Sequence, residues 1–151
     1  MRTGGHIGVD DFMRASVKIT KNPISVVKAV SSVASKSAGG TVTFVGTVRD
    51  SSEGVKITRM ELESAADLAR KDLLRISELA LNRFEIEKVS VTHRIGKLKV
   101  GDVIVVIAVS AAHRKDAFVA CEFVIDELKK TTPIWKKEYS GQKHRWTEAE
   151  A

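Results

Sequence analysis

Apolar residues in the second half of the chain change their spacing near residue 110. Residues 103–109 form an unbroken apolar run rich in β-branched side chains, which predicts a buried β-strand. Beyond this run, apolar residues recur at intervals of four, three and four: Ala117, Cys121, Val124 and Leu128. This spacing predicts an amphipathic helix that follows the strand directly.

Pro133 marks the end of that predicted helix. Proline lacks the backbone N–H that a helix needs and disfavours helical geometry in the residue before it, so the helix should stop near Lys129 or Lys130. Residues 134–139 read Ile-Trp-Lys-Lys-Glu-Tyr, and we interpret them as a short strand or an extended edge. Lys129 and Lys136 are therefore expected on two different elements joined by a tight connection.

The first half of the chain follows the same rules. They predict strands at residues 17–20, 41–48, 55–62 and 89–95, and a helix at residues 64–82. An earlier helix is predicted to begin with Asn22 as N-cap and Pro23 at its first position, and to end at Gly39 and Gly40. Its predicted inward face consists of Val27, Val30 and Ala34. Gly46, inside a strand, indicates a bulge or a close backbone approach.

The predicted order of elements is strand, helix, two strands, helix, two strands, helix and a short extended tail. Hairpins between helix-bearing units indicate an α+β fold with helices packed on one mainly antiparallel sheet. Residues 1–16 mix glycine and charge without periodicity, and we expect a flexible lead-in there. Residues 17–146 form the predicted domain, and residues 147–151 the predicted C-terminal tail.

The composition fits one globular domain. A chain of 151 residues with 43% hydrophobic side chains is long enough for its own core. The single cysteine excludes a disulfide framework and a cysteine-based zinc site. Because Cys121 falls on the helical apolar stripe, we expect a small buried hydrophobe rather than a nucleophile. Since neither a secretory signal nor a membrane-spanning apolar run occurs in the sequence, the protein is expected to be cytoplasmic.

The charge and the motifs narrow the classes of partner. A formal net charge of +6 is compatible with nucleic acid or with a small anionic substrate. The aromatic content of 5% argues against a stacking platform for single strands. Phosphate-loop, dinucleotide-binding, serine-hydrolase and zincin motifs do not occur in the sequence. No metal or cofactor is predicted, since the four histidines lack the spacing of ligands: His6, His93, His113 and His144.

Basic residues gather at both ends of the last predicted helix. Its N-terminal end carries His113, Arg114 and Lys115. Because the helix dipole repels cations there, an anion site and ordinary solvated charges are both open explanations. Between residues 129 and 145, six lysines and arginines face one acid: Lys129, Lys130, Lys136, Lys137, Lys143 and Arg145 against Glu138. Burial beside Trp135 would make a lysine easier to deprotonate, and thus usable as a base or nucleophile.

Two further positions carry candidate chemistry. Arg49 ends a predicted strand and precedes a polar turn, which is where binding groups are often mounted. An ordinary charge at a strand end explains Arg49 equally well. His93 and Arg94 lie inside or at the end of a strand, so cross-strand pairing is the favoured role for them.

Several segments form a combination that is more specific than any one of them. They are Thr-Phe-Val-Gly-Thr-Val-Arg-Asp at 43–50, Val-Thr-His-Arg-Ile-Gly at 91–96 with Gly101 and Asp102, Ser-Ala-Ala-His-Arg at 110–114 with Ala117 and Phe118, and 129–136 with Pro133 and Trp135, closing on Arg145 and Trp146. In this order the chain resembles the large, catalytic subunit family of molybdopterin synthase, from residue 17 to residue 146. The resemblance implies an α/β hammerhead fold.

The resemblance also implies a sulfur-transfer enzyme with a protein partner. Each family subunit receives the C-terminal Gly-Gly tail of a small ubiquitin-like sulfur carrier, which arrives as a thiocarboxylate. The sulfur is transferred twice to cyclic pyranopterin monophosphate to form the dithiolene of molybdopterin. Two catalytic subunits form a homodimer within a heterotetramer. Since the sulfur arrives on the carrier, the catalyst needs cations rather than a cysteine nucleophile.

Site residues follow from the resemblance one by one. Lys129 and Lys136 match the family's two active-site lysines. We expect Lys129 to be the general acid/base or a transient covalent acceptor near the carrier's terminal glycine, and Lys136 to stabilise charge on the pterin and the thiocarboxylate. Arg49 matches the arginine that follows the first long strand.

The remaining matches concern the bound substrate. His113 and Arg114 match a pair that binds the phosphate and the pterin, supplied in the family by the neighbouring subunit. Arg145 matches a basic residue near the pocket. One edge departs from the family pattern, because Leu-Glu-Ser-Ala-Ala-Asp at 62–67 replaces the expected aromatic residue and the Pro-Gly-Met-like entry to a helix.

Two other functions stay open at this point. One is a non-catalytic, carrier-binding subunit of the same fold. The other is a small basic module that binds nucleic acid, for which a steep dependence of affinity on salt is the signature. The resemblance favours the enzyme, with neither nucleic acid nor a membrane as partner.

Overall fold

The computed structural model describes residues 14–148, and within that range the chain forms ten strands and three helices. The strands are β1 (Ala15–Thr20), β2 (Gly40–Thr47), β3 (Ser51–Ser52), β4 (Val55–Lys56), β5 (Arg59–Ser64), β6 (Lys88–Arg94), β7 (Gly96–Lys99), β8 (Val103–Ala111), β9 (Ile134–Ser140) and β10 (Lys143–Glu148). The helices are α1 (Val26–Ser32), α2 (Ala66–Arg83) and α3 (Arg114–Thr131). The predicted α+β class is confirmed.

The main hydrophobic core lies between the first sheet and helices α2 and α3. This sheet has the order β1-β6-β8-β2, with β1 and β6 parallel and the other neighbours antiparallel. The predicted apolar strand is the inner strand β8, whose residues 105–111 are all buried. One face of the sheet meets the apolar stripes of both helices. Core members include Leu73, Ile76, Val91, Ile107, Cys121 and Val124.

A second four-stranded sheet, with the order β10-β9-β5-β7, is antiparallel throughout. Its inner face packs a smaller cluster that includes Met60, Leu62, Leu98 and Ile134. The prediction of mainly antiparallel pairing is confirmed, but the strands divide between two four-stranded sheets and a separate two-stranded hairpin instead of forming one sheet. The sequence reasoning did not predict β7 or β10. Gly96, whose φ is +96°, turns the chain from β6 in the first sheet to β7 in the second.

The predicted strand at residues 55–62 is broken in two. Its first part, β4, pairs with β3 in a small hairpin, and its second part, β5, joins the second sheet. Ile57 N–H donates to the Asp50 carbonyl at 2.7 Å, whereas Thr58 N–H donates to the Tyr139 carbonyl at 2.8 Å. The chain therefore leaves the hairpin and enters the second sheet between adjacent residues.

The predicted start and end of the first helix were wrong. Asn22 and Pro23 precede α1, and Ser25 is its N-cap, with Oγ accepting a hydrogen bond from the Lys28 N–H at 3.2 Å. The helix ends at Ser32, well before Gly39. The Ser25 hydroxyl caps the first turn three positions after Asn22, which is the predicted cap. The helix is seven residues long.

The predicted inward face of α1 was also wrong. Val27 is 75% exposed and Val30 38% exposed, whereas Ala29 is buried. Ala29 faces a polar groove that Ser90 also lines. Because Val89 and Val91 belong to the main core and strand side chains alternate, Ser90 lies on the opposite face of the sheet. This short helix covers a polar surface, so its valines gain little from facing inward.

The ends of the predicted domain are only partly described. Strand β1 begins at Ala15, two positions before the predicted start, and residues 1–13 of the predicted lead-in lie outside the described residues. Thr147, in the predicted tail, pairs with Lys136 in the second sheet, and residues 149–151 lie outside the described residues. Across residues 14–148 there is no helix with both the length and the apolar character to cross a membrane.

Candidate active site

A cleft of about 360 Å³ lies where the two sheets meet. Its walls come from β2, β6 and β8 of the first sheet, from the last turns of α3, and from β5 and β9 of the second sheet. Much of the lining is apolar: Phe44, Val45, Met60, Leu62, Ile104, Val105, Ile125 and Leu128. Four charged side chains and one histidine stand among them: Arg49, Lys129, Lys136, Glu138 and His93.

Lys129 and Lys136 reach the cleft from two different elements, as the sequence predicted. Lys129 lies in the last turn of α3, next to buried Leu128, and Lys136 lies in β9. Both lysines are half-buried. Alternation along β9 places Lys136 and Glu138 on the cleft side, whereas Lys137 lies on the other face, with its Nζ 5.3 Å from the centroid of the Trp146 ring.

Asp72 on α2 holds the connection between the two lysines. Its Oδ2 accepts hydrogen bonds from the hydroxyls of Thr131 and Thr132, both at 2.7 Å, and Arg75 Nη2 donates to its Oδ1 at 2.9 Å. Burial alone would raise the pKa of Asp72, but these hydrogen bonds outweigh it and lower the pKa below its ordinary 3.8. The charged carboxylate therefore anchors the end of α3, a contact that sequence reasoning missed.

Arg49 lines the cleft from the end of β2. The predicted bulge is confirmed, because the register of β2 against β8 shifts just after Gly46. A Cβ atom on Gly46 would stand 2.8 Å from Val105 Cγ1, so only glycine fits this close approach without movement. The Val48 N–H donates to the Asp102 carbonyl at 3.0 Å, which anchors the chain just before the exposed Arg49.

Glu138 is the buried acid of the cleft, and Arg145 is its partner. Glu138 is only 3% exposed, and its Oε1 lies 3.4 Å from Arg145 Nη2. The same guanidinium lies 3.6 Å from Glu53 Oε2 and donates to the Ser52 carbonyl at 3.3 Å. Arg145 is not among the cleft-lining residues. Its contacts link β10 to the β3–β4 hairpin.

His113 and Arg114 lie at the opposite end of α3 from the cleft. Both are exposed, and His113 occupies the N-cap position without a capping hydrogen bond from its side chain. Arg114 and Lys129 are 15 positions apart in one helix, which corresponds to roughly 22 Å at 1.5 Å per residue. Within one copy of the chain, the structure does not bring the pair to the lysines.

His93 is a cleft residue that the sequence analysis did not select. The expected cross-strand pairing is confirmed, since His93 pairs with Ile19 and Val105 in the first sheet. Its side chain, however, is 3% exposed and lines the cleft. Burial lowers the pKa of His93 from its ordinary 6.5 to about 4, so the ring is neutral at pH 7. The available signal was its place after Val89 and Val91 on the apolar face of one strand.

Cys121 is a structural residue, as predicted. It is 4% exposed within the main core, and burial raises the pKa of its thiol to about 11. A thiol in this state is not a nucleophile at neutral pH. In the part of the chain that the structure describes, no group of three or more His, Cys, Asp and Glu residues is placed to hold a metal ion.

The charges of the cleft favour an anionic ligand. Arg49, Lys129 and Lys136 contribute three positive charges to an otherwise largely apolar cleft. The acid Glu138 is already paired with Arg145. Positive charge in a partly water-excluded site binds anions more strongly than the same charge at an exposed surface.

Comparisons with known proteins place this chain in a family context. Residues 19–131 match the family model described as MoaE protein. The molybdopterin synthase catalytic subunit of Pyrococcus abyssi is 38% identical over 91% of this chain and 94% of its own length. The crystal structure of molybdopterin synthase from Staphylococcus aureus superposes with a TM-score of 0.82 at 35% identity, over 85% of this chain and 94% of that one.

A third comparison concerns a complex. The complex of subunits 1 and 2 of the molybdopterin-converting factor from Helicobacter pylori contains a chain with a TM-score of 0.73 to this one. The match covers 88% of this chain and 90% of that one. At 21% identity this likeness establishes a shared fold.

Proposed function

Since the chain belongs to the MoaE protein family, we propose that it is the catalytic subunit of a molybdopterin synthase. It transfers sulfur from the C-terminal thiocarboxylate of a small ubiquitin-like carrier to cyclic pyranopterin monophosphate, and the product is the molybdopterin dithiolene. The observation that carries this proposal is the meeting of Lys129, Lys136 and Arg49 in one cleft. Both the thiocarboxylate and the cyclic phosphate are anions, and the three positive charges of the cleft complement both.

The two lysines have different surroundings, and we assign them different roles. Lys129 stands at the end of a helix that Asp72 anchors. As an ammonium it can donate a proton, and as the neutral amine it can accept one or attack the carrier's acyl carbon, with the sulfur already bonded to the pterin as the leaving group. Lys136 stands on the strand opposite and shares the cleft wall with Glu138. It stabilises negative charge that develops on the sulfur and on the pterin.

Arg49 and the far end of α3 bind the substrate. Arg49 is exposed at the cleft and is suited to the phosphate, because a guanidinium donates two parallel hydrogen bonds to a phosphate group. In the family that the chain resembles, the neighbouring subunit supplies this pair, and we assign the same arrangement here, since His113 and Arg114 stand roughly 22 Å from Lys129 along the helix of one copy. The functional unit is therefore a homodimer in which each cleft takes residues from both copies.

The sulfur donor is a second protein. The cleft holds no nucleophilic thiol, because Cys121 is buried in the main core and its pKa is raised to about 11. A carrier whose extended C-terminal tail enters the cleft brings the sulfur as a terminal anion beside Lys129 and Lys136. Two carriers on one homodimer make a heterotetramer. A chain of the same fold occurs in the two-subunit complex from Helicobacter pylori, which supports a small-subunit partner.

A single-turnover assay tests the function. The protein is mixed with a thiocarboxylated carrier and cyclic pyranopterin monophosphate, and dithiolene product is measured over time. Lys129→Ala and Lys136→Ala should each slow product formation by about a hundredfold or more, because each removes a charge that acts in the reaction. Carrier binding, measured separately, should remain.

Each lysine has a matched control next to it. Lys130→Ala removes an exposed lysine paired with Glu127, and Lys137→Ala removes one on the other face of β9. Both controls should stay within about threefold of the parent protein, since surface substitutions have small effects. Carrier binding without product in the parent protein would identify a binding subunit and refute the enzyme. Equal rates for Lys129→Ala and Lys130→Ala would refute the assigned role of Lys129.

A further inference from the structure

His93 and Glu138 are the two most deeply buried polar side chains of the cleft, and the proposed reaction does not use His93. It lies in the inner strand β6, on the face that carries Val91 and packs against α2 and α3. Its neighbours across the sheet are Val105 and, beyond it, Gly46, which also line the cleft. Arg49 is exposed and Lys129 half-buried, whereas His93 is only 3% exposed. The imidazole therefore lies deeper in the cleft than the cations.

The contacts of the ring decide which nitrogen carries the proton. Nδ1 of His93 lies 2.8 Å from the carbonyl oxygen of Arg94. A carbonyl oxygen can only accept, so Nδ1 carries the hydrogen and donates it. In a neutral ring Nε2 then has no hydrogen and is an acceptor. Within residues 14–148, no side chain or backbone group makes a hydrogen bond to Nε2.

A neutral acceptor complements the other polar groups of this cleft. Arg49, Lys129 and Lys136 are hydrogen-bond donors only, whereas the acceptors are His93 Nε2 and the Glu138 carboxylate, which forms an ion pair with Arg145. The cations therefore match the phosphate and the carbonyl oxygens of a ligand, but not its N–H groups. Because His93 lines the cleft, this acceptor is available to a ligand that supplies the donor.

We propose that His93 Nε2 accepts a hydrogen bond from an N–H group of the pterin ring and thereby orients the ring between the lysines. This inference rests on the proposed function and adds a substrate-binding residue to it. A pyranopterin carries N–H groups on its aminopyrimidinone edge and on its reduced ring, at a distance from the phosphate. The phosphate then lies toward Arg49 at the mouth of the cleft, and the N–H edge lies deeper, against His93.

Two substitutions separate this role from a purely structural one. In His93→Asn the side-chain amide stands where Nδ1 stands, so the contact with Arg94 can persist while the acceptor at Nε2 is lost. In His93→Gln the amide oxygen reaches the position of Nε2 and can accept in its place. Both variants introduce a neutral amide at the same site, so each is the control for the other. His93→Phe, which keeps the ring volume, replaces His93→Asn if that variant does not fold.

The measurement is binding of cyclic pyranopterin monophosphate by equilibrium dialysis, with carrier affinity and unfolding midpoint measured on the same preparations. The Kd for the pterin should rise about tenfold or more in His93→Asn and stay within about threefold of the parent value in His93→Gln. The carrier affinity should be unchanged in both variants. The two variants should have similar unfolding midpoints.

The outcomes separate this inference from the proposed function. If the parent protein binds the pterin and His93→Asn binds it equally well, the inference is overturned and the proposed function stands. If folded His93→Gln binds as weakly as His93→Asn, the hydrogen bond to Nε2 is also rejected. If the parent protein neither binds the pterin nor forms product, the proposed function fails and this inference fails with it.

Discussion

Helix α3 carries basic residues at both ends, but the two ends differ in their surroundings. At the C-terminal end, Lys129 is half-buried in the cleft, and the chain that follows it is held by Asp72. At the N-terminal end, His113 and Arg114 are exposed, and His113 makes no capping contact. The helix dipole favours cations at the first of these ends and disfavours them at the second.

This difference shows that a group of cations is not by itself an active site. The C-terminal end has walls from both sheets, so its charges act where water is partly excluded. The N-terminal end has the same charges without an enclosing wall. It can take part in the reaction only when another surface brings a second set of groups to it, as a second copy of the chain would in our proposal.

The largest expected effect tests whether the Lys129 and the Arg114 that serve one cleft belong to different copies of the chain. Lys129→Ala and Arg114→Ala should each lower sulfur transfer by about a hundredfold at limiting substrate. Co-expressed with different tags, a mixed dimer of the two variants has one cleft with both substitutions and one with neither. Its activity should return to about half of the parent value. A mixed dimer as inactive as its two parent variants would show that both ends act within one copy.

The second prediction concerns His93 and the pH dependence of stability. The folded protein holds the pKa of His93 at about 4, whereas the unfolded chain has the ordinary 6.5. Between these pH values the unfolded state binds more protons, so stability present above pH 6.5 is lost as the pH falls toward 4. Relative to His93→Gln, the free energy of unfolding of the parent should fall by about 3 kcal/mol across this window. Urea unfolding of both proteins at several pH values in this window measures the fall. If the free energy of unfolding falls equally in the parent and in His93→Gln, the prediction is wrong.

The third prediction tests the anchor at the C-terminal end of α3. Asp72→Ala removes the acceptor of the Thr132 hydroxyl and one of the two acceptors of the Thr131 hydroxyl, which keeps the Glu127 carbonyl, so the free energy of unfolding should fall by about 2 kcal/mol. Asp72→Asn keeps an oxygen acceptor and should lose less. The control, Asp126→Ala, removes an exposed acid of α3 and should change stability by less than about 0.5 kcal/mol. Equal losses for Asp72→Ala and Asp126→Ala in urea titrations would count against the anchor.

The smallest expected effect compares the helix dipole at the two ends. Lys115→Glu places an acid in the first turn of α3 and should raise the free energy of unfolding by about 0.5 kcal/mol. Lys130→Glu places an acid in the last turn, beside Glu127, and should lower it by a similar amount. Chemical denaturation at low ionic strength measures both. Shifts of the same sign would show that the dipole does not distinguish the two ends.

Local pattern alone predicted much of the fold. The apolar run at residues 103–109 became β8, and the stripe from Ala117 to Leu128 became the buried face of α3. Pro133 ended the helix close to the expected position, so Lys129 and Lys136 were correctly assigned to separate elements. These predictions succeeded because strand alternation and helical periodicity depend on neighbouring residues. Charge and position singled out Arg49, Lys129, Lys136 and the pair His113 and Arg114 as candidates, and the family resemblance assigned their roles.

The tertiary structure decided what surrounds those residues. Asp72 accepts a hydrogen bond from the hydroxyl of Thr131, which lies 59 positions away in the sequence. Arg145 forms an ion pair with Glu138 only because β9 and β10 are paired. The division of the strands into two sheets creates the cleft, and its depth makes His93 neutral. Burial and long-range pairing are properties of the assembled chain, because they depend on which distant segments exclude water from a side chain. Periodicity along the sequence therefore identified the elements, and only their packing determined the chemical state of the groups between them.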